Sequence, residues 1–316
     1  MEVIYGIEKY YKQQPLVLAL GNFDGVHRGH RQILRVTKQK AGEIKAESGV
    51  LIFDPHPLNI LKPSKEILLL TTFTQRSQLI EELGIDLLIV VSFNREFASL
   101  SPEQFVKEIL IDKLHAEVVV VGFDYSFGYG GSGKVNNLKE LGKRFGFKVE
   151  VVEPVTIKNK VVSSSLIRGL ISSGKVEEAS LYLGNPPCIE GKVIHGEGRG
   201  KFLGFPTANL EVKENVVIPG NGVYLTLASF QGSSYYSLTN IGCKPTFGGD
   251  NLTIEVFIIG FQDNLYEHEL RIKFLQKIRE EKTFSNSEGL KAQIIKDLKK
   301  AEEIIQKYSI NLSFLA

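Results

Sequence analysis

Short, continuous apolar runs in the first 184 residues constrain the fold of this chain more than any other feature. Five of these runs are rich in β-branched residues and are separated by stretches of helical pattern: 16–20, 50–53, 86–91, 117–121 and 147–152. Runs of this kind are typical of strands that are buried on both faces of a parallel sheet. Because strands and helices alternate along this segment, we expect a doubly wound α/β domain.

The start of one of these helices can be predicted to the residue. In the segment SPEQ, Ser101 can cap the helix, Pro102 suits the first helical position, and Gln104 can complete a capping box. A helix is therefore expected to begin at this point, between the third and fourth predicted strands.

The pattern changes at the segment GNPPC, residues 184–188, whose paired prolines disfavour helix and strand alike. Strand-like runs separated by glycine, asparagine and proline follow, and they predict an antiparallel sandwich or a small barrel. The chain has 316 residues, whereas a single core stops growing near ~250–300 residues. We therefore expect two domains, residues 1–184 and 185–316.

A helix from about Asn286 to Tyr308 is expected to close the chain. The segment SNSE, residues 285–288, fits a capping box at its start. An apolar stripe with helical spacing follows: Leu290, Ile294, Leu298, Ala301 and Ile305. The stripe indicates an amphipathic terminal helix.

The composition argues against several classes of protein. The chain carries 38 basic and 36 acidic residues, and its formal net charge of +2 gives no electrostatic footprint for nucleic acid. The two cysteines, Cys188 and Cys243, form no CxxC pattern, which favours reduced thiols over a disulfide framework. The N-terminus has no apolar signal region, and no apolar run approaches the ~20 residues that span a bilayer. We therefore expect a cytoplasmic protein without a membrane partner.

The segment GNFDGVHRGH, residues 21–30, follows the first apolar run directly. Ligands of open α/β sheets bind at the carboxyl ends of strands, and a helix N-terminus favours phosphate. His27 and His30 are three residues apart, so they face the same way on a helical turn and can stabilise charge that develops at a phosphorus atom. Candidate phosphate-binding residues are Gly21, Phe23, Asp24 and Gly25. The alternatives for an isolated HxxH are a glycine-rich turn with exposed histidines or a zinc site, which would need further ligands.

A run of serines, Ser163, Ser164 and Ser165, opens a predicted helix in the segment 162–170. Their hydroxyl and N–H groups can bind phosphate oxygens, and Arg168 supplies a fixed cation one turn later for a leaving pyrophosphate. The alternative interpretation is a capping serine cluster followed by a solvated arginine.

The segment 122–135 contains two glycine patterns that do not predict the sites they are known for. A GxGxxG pattern begins at Gly128, but six residues separate it from the preceding strand. A GxxxxGK pattern ends at Lys134, but Val135 follows where a P-loop needs serine or threonine for Mg²⁺. We interpret the segment as a mobile active-site loop.

A second dense segment, GEGRGKFLGFPTANL, covers residues 196–210. If the chain is extended there, Thr207 and Asn209 point to the same face, and their oxygens are ligands suited to Mg²⁺. The loop that contains Gly198 and Gly200 can fold over the phosphates of a nucleotide. The alternative is a surface hairpin with polar turn residues.

The later predicted strand LTIEVFIIGF carries a glutamate, Glu255, between apolar residues. Alternation puts Leu252, Ile254, Val256 and Ile258 on one face, and Glu255 on the other face with Thr253 and Phe257. A carboxylate beside an aromatic surface can deprotonate a hydroxyl nucleophile. The alternative is an ordinary solvent-facing strand residue.

Together these segments resemble the bacterial bifunctional riboflavin kinase/FAD synthetases. Residues 21–30 are similar to the HxGH signature of the nucleotidylyltransferase superfamily, and 162–170 to its ISSTxxR element. FDPHP at 53–57 resembles the FEPHP element of the bifunctional branch. The segment 196–210 resembles the riboflavin kinase signature GDGRGRTLGFPTANL, and NIGCKPTF at 240–247 resembles the NIGxxPTF element that precedes the catalytic strand.

The resemblance implies a fold and a set of roles. It implies an N-terminal Rossmann-like nucleotidylyltransferase domain and a C-terminal antiparallel β-barrel kinase domain with a terminal helix. The implied catalytic residues are His27, His30, Arg168 and Glu255, and Thr207 and Asn209 would hold Mg²⁺. Implied flavin-binding residues are Asp54, His56, Pro57, Asn240 and Arg279. Asp124, which follows Phe123 where the family has glutamate, and Lys201 would contact ATP.

The implied activity is the synthesis of FAD from riboflavin in two ATP-dependent steps, by way of FMN. Three alternatives stay open: adenylyl transfer to another phosphate acceptor, a flavin-binding regulator, and nucleic-acid binding. The kinase segment argues against the first, the presence of His27, His30 and Glu255 against the second, and the balanced charge against the third. The oligomeric state is left open between a monomer and a transient homo-oligomer.

Overall fold

The computed structural model describes residues 1–11, 14–61, 67–196, 204–212, 215–246, 249–261 and 263–313. The chain divides into two compact units, Met1–Ser164 and Ser165–Ala316. The predicted boundary between residues 184 and 185 follows the helix Val176–Leu183. Where the two functional domains divide stays a prediction.

The first unit is built on a parallel sheet. Its strands are, in chain order, β1 Glu2–Tyr5, β2 Leu16–Leu20, β3 Glu47–Asp54, β4 Leu87–Ser92, β5 Ala116–Gly122, β6 Ser126–Phe127, β7 Gly133–Lys134, β8 Lys148–Val152, β9 Thr156–Ile157 and β10 Lys160–Val161. Six of them form one parallel sheet in the order β1-β4-β3-β2-β5-β8, and the other four form two short hairpins. The five predicted strands are confirmed. Strand β1 was not predicted, because it is an edge strand in which only Ile4 is buried.

Helices cover both faces of this sheet. They are α1 Arg28–Ile44, α2 Pro57–Leu61, α3 Phe73–Glu81, α4 Arg95–Ala98, α5 Pro102–Gln104, which continues as a π-helix over Phe105–Ile111, and α6 Val135–Phe145. The predicted capping box is confirmed: the Ser101 hydroxyl accepts from the N–H of Gln104 at 3.2 Å, and the Gln104 side chain accepts from the N–H of Ser101 at 3.0 Å.

Strand β2 shows why the predicted strands are apolar throughout. Its five residues are at most 2% exposed. Leu18 and Leu20 pack with Phe105 on one side of the sheet, while Ala19 packs with Leu34 of α1 on the other. A strand in the middle of such a sheet has no polar face, as the sequence pattern indicates.

The second unit is a closed antiparallel barrel with helices. Its elements are α7 Ser164–Ser172, α8 Val176–Leu183, β11 Cys188–Ile194, β12 Ala208–Glu211, β13 Gly222–Phe230, β14 Ser233–Thr246, β15 Gly249–Ile258, β16 Glu269–Arg279 and α9 Ser287–Ser313. The six strands follow one another around the barrel in the order β11-β12-β15-β14-β13-β16. The barrel, rather than the sandwich, is therefore the observed form of the predicted antiparallel domain.

The terminal helix α9 packs on the outside of the barrel. Ala301 is fully buried, and Leu298 packs in the same cluster as Val223 and Leu225 of β13. The predicted capping box at 285–288 is wrong by one residue. The Asn286 side chain accepts from the N–H of Gly289 at 2.8 Å, so Asn286 caps a helix that begins at Ser287.

A buried ion pair joins the barrel to α9. The Nε of Arg279, at the end of β16, donates to both carboxylate oxygens of Asp297, at 2.9 and 3.1 Å. The Asp297 side chain is only 4% exposed and also accepts from Gln293 at 2.8 Å. Asp297 was not predicted, because a charged residue in an amphipathic helix is ordinarily assigned to the solvent face.

Within the residues that the structure describes, none of the helices combines the length and the apolar character that crossing a membrane requires. The two cysteines are reduced thiols in different environments: Cys243 is exposed, whereas burial raises the pKa of the Cys188 thiol to about 12.

We expect Asp297→Ala to destabilise the second unit by about 3–5 kcal/mol, because it leaves the Arg279 cation, whose side chain is only 14% exposed, without its partner. Urea unfolding of this variant measures the loss, and Glu302→Ala at an exposed position of the same helix is the matched control. A loss below about 1 kcal/mol, the range of exposed ion pairs, would show that the pair does not stabilise the fold.

We expect a thiol reagent at about pH 8 to modify Cys243 quickly and Cys188 only after unfolding. Only the thiolate reacts, and a group with its pKa raised far above the solution pH has almost none. Reaction with Ellman's reagent checks this, and Cys243→Ser should remove the fast phase. A fast phase that survives in Cys243→Ser would contradict the raised pKa of the Cys188 thiol.

Candidate active sites

The loop after β2 makes a tight turn before it enters α1. Phe23, Gly25 and Val26 all have positive φ angles, of 50°, 80° and 40°. This conformation is costly for a β-branched residue such as Val26, and it persists only where surrounding contacts fix it. The turn delivers His27 to the capping position of α1, where its Nδ1 accepts from the N–H of His30 at 3.2 Å.

The turn brings the two predicted histidines together. Their rings stack with centroids 3.5 Å apart and planes 15° apart. His27 is 5% exposed, and Phe23 contacts the His30 ring edge-on at 5.2 Å. A Cβ at Gly29 would lie 3.2 Å from the His27 ring, which explains the small residue between the two histidines. The pair has the common orientation that its spacing predicts, and its catalytic role stays a prediction.

Asp24, predicted to bind phosphate, is buried and bound to the protein's own backbone. Its carboxylate accepts from the N–H groups of Leu70 at 2.8 Å and Thr71 at 3.3 Å. The Gly25 N–H donates to the Thr71 hydroxyl at 3.0 Å, and the Ser164 hydroxyl donates to the Asp24 carbonyl at 3.2 Å. These contacts fix the loop. Phosphate binding by Gly21, Phe23, Asp24 and Gly25 stays a prediction.

The serine segment lies at the start of α7, as predicted. Ser163 precedes this helix, Ser164 and Ser165 begin it, and Arg168 lies one turn further on. Arg168 is half-buried and Ser165 is exposed. The role of Arg168 toward pyrophosphate stays a prediction.

The loop 21–30 with its histidine pair is called the first site below. The segment 70–76 contacts this loop and was not predicted from the sequence. At its end, Arg76 in α3 is only 2% exposed, and its Nη1 donates to the carbonyl of Asn22 at 3.0 Å. Burial lowers the pKa of Arg76, against the opposite effect of Asp24 and Asp54. The TxxQ capping box at Thr72 could have located α3, but nothing in the sequence marks the arginine as buried.

Asp54, in the FDPHP segment, lines a cavity of about 680 Å³. The cavity lies at the carboxyl ends of β1 and β4, where Tyr5 and Ser92 contribute to its wall. Its apolar lining includes Val91, Phe97 and Ile109. Of the other two residues in this segment that are predicted to bind flavin, His56 accepts from the N–H of Leu58 at 3.2 Å and Pro57 begins α2.

Part of the segment predicted as a mobile loop is a hairpin. Strands β6 and β7 pair, and α6 begins directly after them. Gly128 has a φ of 70°, and a Cβ there would lie 2.7 Å from the backbone of Pro102. Two-residue strands have too little pattern to be predicted. Asp124 is exposed on the turn after β5, and its contact with ATP stays a prediction.

The barrel aligns the predicted kinase residues in one cross-strand row. Asn209 on β12 lies opposite Glu255 on β15, and Glu255 lies opposite Asn240 on β14. The row continues through Val223 on β13 to Arg279 on β16. Residues directly opposite one another in an antiparallel pair share a face. The carboxylate of Glu255 therefore has an amide residue on either side.

The predicted alternation around Glu255 is observed. Ile254 and Val256 are buried, at 4% and 1% exposure, whereas Glu255 and Phe257 are half-buried. Phe205 contacts the Phe257 ring edge-on, with centroids 5.6 Å apart. Leu252, expected on the buried face, is 46% exposed near the start of the strand. The role of Glu255 as a general base stays a prediction.

Of the two residues predicted to hold Mg²⁺, Asn209 belongs to this row and Thr207 directly precedes β12. Asn209 is half-buried, and Thr207 lines a cavity of about 160 Å³ with Phe261 and Tyr266. A Cβ at Gly196 would collide with the Asn209 amide, so the backbone at Gly196 closes over that side chain. The predicted nucleotide-binding residues Gly198, Gly200 and Lys201 lie outside the described residues.

Across the described ranges, no group of three or more histidine, cysteine, aspartate or glutamate side chains could hold a metal ion. A divalent cation in the barrel unit would depend on hydroxyl and amide oxygens and on the phosphates of a nucleotide. Asn209, opposite Glu255, and Thr207, two residues earlier in the chain, supply such oxygens. This donor set fits Mg²⁺, which commonly keeps substrate phosphates and water as ligands.

Arg279, predicted to contact flavin, is held by Asp297, as described above. Its Nη1 also donates to the carbonyl of Glu280 at 2.9 Å. The guanidinium thus has fixed partners at the end of the cross-strand row. Its contact with flavin stays a prediction.

Two protein families match separate parts of this chain. The FAD synthetase family matches residues 9–166, and the riboflavin kinase family matches residues 183–305. The chain is similar to a solved structure described as a macrolide-efflux protein from Streptococcus pneumoniae, with a TM-score of 0.87 and 30% identity. That similarity covers 96% of this chain and 98% of the other.

Curated relatives carry both functions in one polypeptide. The bifunctional riboflavin kinase/FMN adenylyltransferase of Listeria monocytogenes is 41% identical over 283 residues, which cover 89% of this chain and 90% of that protein. The protein of the same name from Bacillus subtilis is 39% identical over 295 residues and 92% of each chain. The order of the two matched families agrees with the order of the sheet and the barrel, and the chain belongs to the bifunctional riboflavin kinase/FMN adenylyltransferase family.

Proposed function

We propose that this chain makes FAD from riboflavin in two ATP-dependent steps, one in each unit. The barrel unit transfers the γ-phosphate of ATP to the 5′-hydroxyl of the ribityl chain and gives FMN. The sheet unit then transfers the adenylyl group of a second ATP to the phosphate of FMN, and pyrophosphate leaves. The observation that carries this proposal is the cross-strand row, with Glu255 between Asn209 and Asn240.

In the kinase step, Glu255 acts as the general base. It takes the proton of the 5′-hydroxyl as the hydroxyl oxygen bonds to the γ-phosphorus, and the bond from that phosphorus to ADP breaks. The half-buried position beside Phe257 supports this role. Asn240 lies opposite Glu255 in the row and is proposed to orient the flavin substrate.

Thr207 and Asn209 would hold Mg²⁺ through the hydroxyl and the amide oxygen. When bound, the metal supplies positive charge that neutralises the phosphates of ATP. Gly198, Gly200 and Lys201 are proposed to contact the same phosphates.

In the adenylyl step, His27 and His30 stabilise the charge that develops on the α-phosphate. The His27 Nδ1 accepts a hydrogen bond from the His30 N–H, so the neutral ring carries its proton on Nε2. That N–H is the donor proposed to contact the phosphate. Arg168 and the serines Ser163, Ser164 and Ser165 are proposed to bind the leaving pyrophosphate.

We infer that the protein works in the cytoplasm on small-molecule substrates. Its two reduced cysteines support a reducing compartment. Flavin chemistry, rather than the efflux activity named for the Streptococcus protein, is the function named by both matched families and by the curated relatives.

The isoalloxazine ring of FMN is proposed to enter the cavity beside Asp54 during adenylyl transfer. A volume of about 680 Å³ lies in the range of small-molecule sites, and the apolar wall suits an aromatic ring system. Asp54 at the carboxyl end of β3 then lies between this ring and the loop that carries the histidines.

We expect the purified protein, given riboflavin, ATP and MgCl₂, to accumulate FMN and then FAD. His27→Ala should stop the reaction at FMN, with a loss of at least about 100-fold in FAD formation. Glu255→Gln should block FMN formation by at least about 100-fold and still convert supplied FMN to FAD. Chromatography of the flavins measures both steps, and each variant is the folding control for the other.

Other outcomes of this assay point to the alternative functions. FMN without FAD would mean that the sheet unit adenylylates a different acceptor. If neither product forms with oxidised or reduced riboflavin while flavin still binds, the chain is a flavin-binding regulator.

We expect Ser92→Phe to raise the KM for FMN in adenylyl transfer by at least about 10-fold, because the new ring occupies the cavity. Ser92 is exposed at the end of β4, so the substitution should not disturb the core. Steady-state kinetics with FMN and ATP measure the effect, and Ser233→Phe at the exposed start of β14 is the matched control. An unchanged KM for FMN would show that the cavity is not part of the FMN site.

A further inference from the structure

Arg76 is a buried cation outside the residues proposed for binding and catalysis. It lies in α3, and its guanidinium is 5.9 Å from the centroid of the Phe73 ring. Its Nη1 donates to the carbonyl of Asn22 at 3.0 Å. Its Nε is buried and has no hydrogen-bond partner within the described part of the chain. The Arg76 side chain therefore contacts the loop between β2 and α1 through the carbonyl of Asn22.

The charge of Arg76 is compensated by residues that belong to the first site. Asp24 and Asp54 attract it, from the segments that follow β2 and β3. A buried charge of this kind contributes little to stability, because an apolar side chain of similar volume often serves the core as well or better. The arginine therefore needs another explanation, and the groups that it contacts provide one.

The loop that Arg76 contacts is strained and carries the histidine pair. Three of its residues have positive φ angles, and such a conformation must be held by its surroundings. The segment 70–76 holds it at three points: Leu70 and Thr71 bind the Asp24 carboxylate, the Thr71 hydroxyl binds the N–H of Gly25, and Arg76 binds the Asn22 carbonyl.

The segment is itself fixed at its middle. The Thr72 hydroxyl accepts from the N–H of Gln75 at 3.1 Å, and the Gln75 side chain accepts from the N–H of Thr72 at 3.2 Å. Asn22 also links the loop to β3, because its side-chain oxygen accepts from the N–H of Phe53 at 3.4 Å. Arg76 thus joins α3 to the ends of two neighbouring strands.

We propose that Arg76 is a positioning residue for adenylyl transfer. Through the carbonyl of Asn22 and the charges of Asp24 and Asp54, it fixes the loop that presents His27 and His30 to the nucleotide. This inference rests on the proposed role of the histidine pair. Arg76 does not itself touch the substrate.

The test compares Arg76→Met, which removes the charge, with Arg76→Lys, which retains it. We expect kcat for FAD formation from FMN and ATP to fall about 10- to 100-fold in Arg76→Met, because a small displacement of catalytic groups has effects of this size. The KM for FMN should change much less, and Arg76→Lys should recover part of kcat. Riboflavin kinase activity, measured on the same sample, should be unchanged.

A second measurement reports on the loop without any turnover. Hydrogen exchange of the segment 21–30 in the ligand-free protein should be faster in Arg76→Met than in the wild type, with little change in β4 or β5. Arg35→Met, at an exposed position of α1, is the matched control for both measurements.

Two results would overturn the proposal. One is wild-type kcat and wild-type exchange in Arg76→Met. The other is faster exchange throughout the sheet unit with no recovery in Arg76→Lys, which would mean a general loss of stability. If the wild-type chain forms no FAD, the proposed function fails instead, and the exchange measurement still decides whether Arg76 fixes the loop.

Discussion

The burial of β2 on both faces is the constraint on which the first site depends. Because its five residues are enclosed by the neighbouring strands and by packing on each face of the sheet, the chain can change direction only after Leu20. The turn that follows must be tight and must end at the start of α1. The positive φ angles, the capping histidine and the supporting segment 70–76 are all consequences of placing a helix start directly against the end of a buried strand.

In the barrel, the register of the strands, rather than a turn, sets the positions of the candidate site residues. Closure of six strands fixes which residues lie opposite one another. Glu255 is thus aligned with Asn240 on β14, the preceding strand, and with Asn209 on β12, which is further away along the chain. A slip of one residue in β15 would move Glu255 into the barrel interior and Ile254 outward. The packing of Ile254 and Val256 therefore specifies the position of the carboxylate as firmly as it stabilises the domain.

The sequence was informative where a feature is local and repeated. Continuous apolar runs predicted five of the six sheet strands, the spacing of His27 and His30 predicted their common orientation, and alternation predicted the face of Glu255. It was uninformative where a side chain has partners far away along the chain. Arg76 and Asp297 look like solvated charges in a helical pattern, and only the fold shows that each is buried against a distant segment. The family resemblance, rather than residue pattern, supplied the substrates.

The residue at the capping position of α1, His27, is not one of those that stabilise a helix start best. Serine, aspartate and asparagine cap helices well, and a capping side chain is worth about 1 kcal/mol. The chain instead places His27 there, with its ring nitrogen accepting the N–H of His30. With the role proposed for His27, exchanging this histidine for a better cap would stabilise the helix and remove the proposed donor toward the nucleotide. The first turn of α1 is thus a place where a more stabilising residue would conflict with the proposed catalysis.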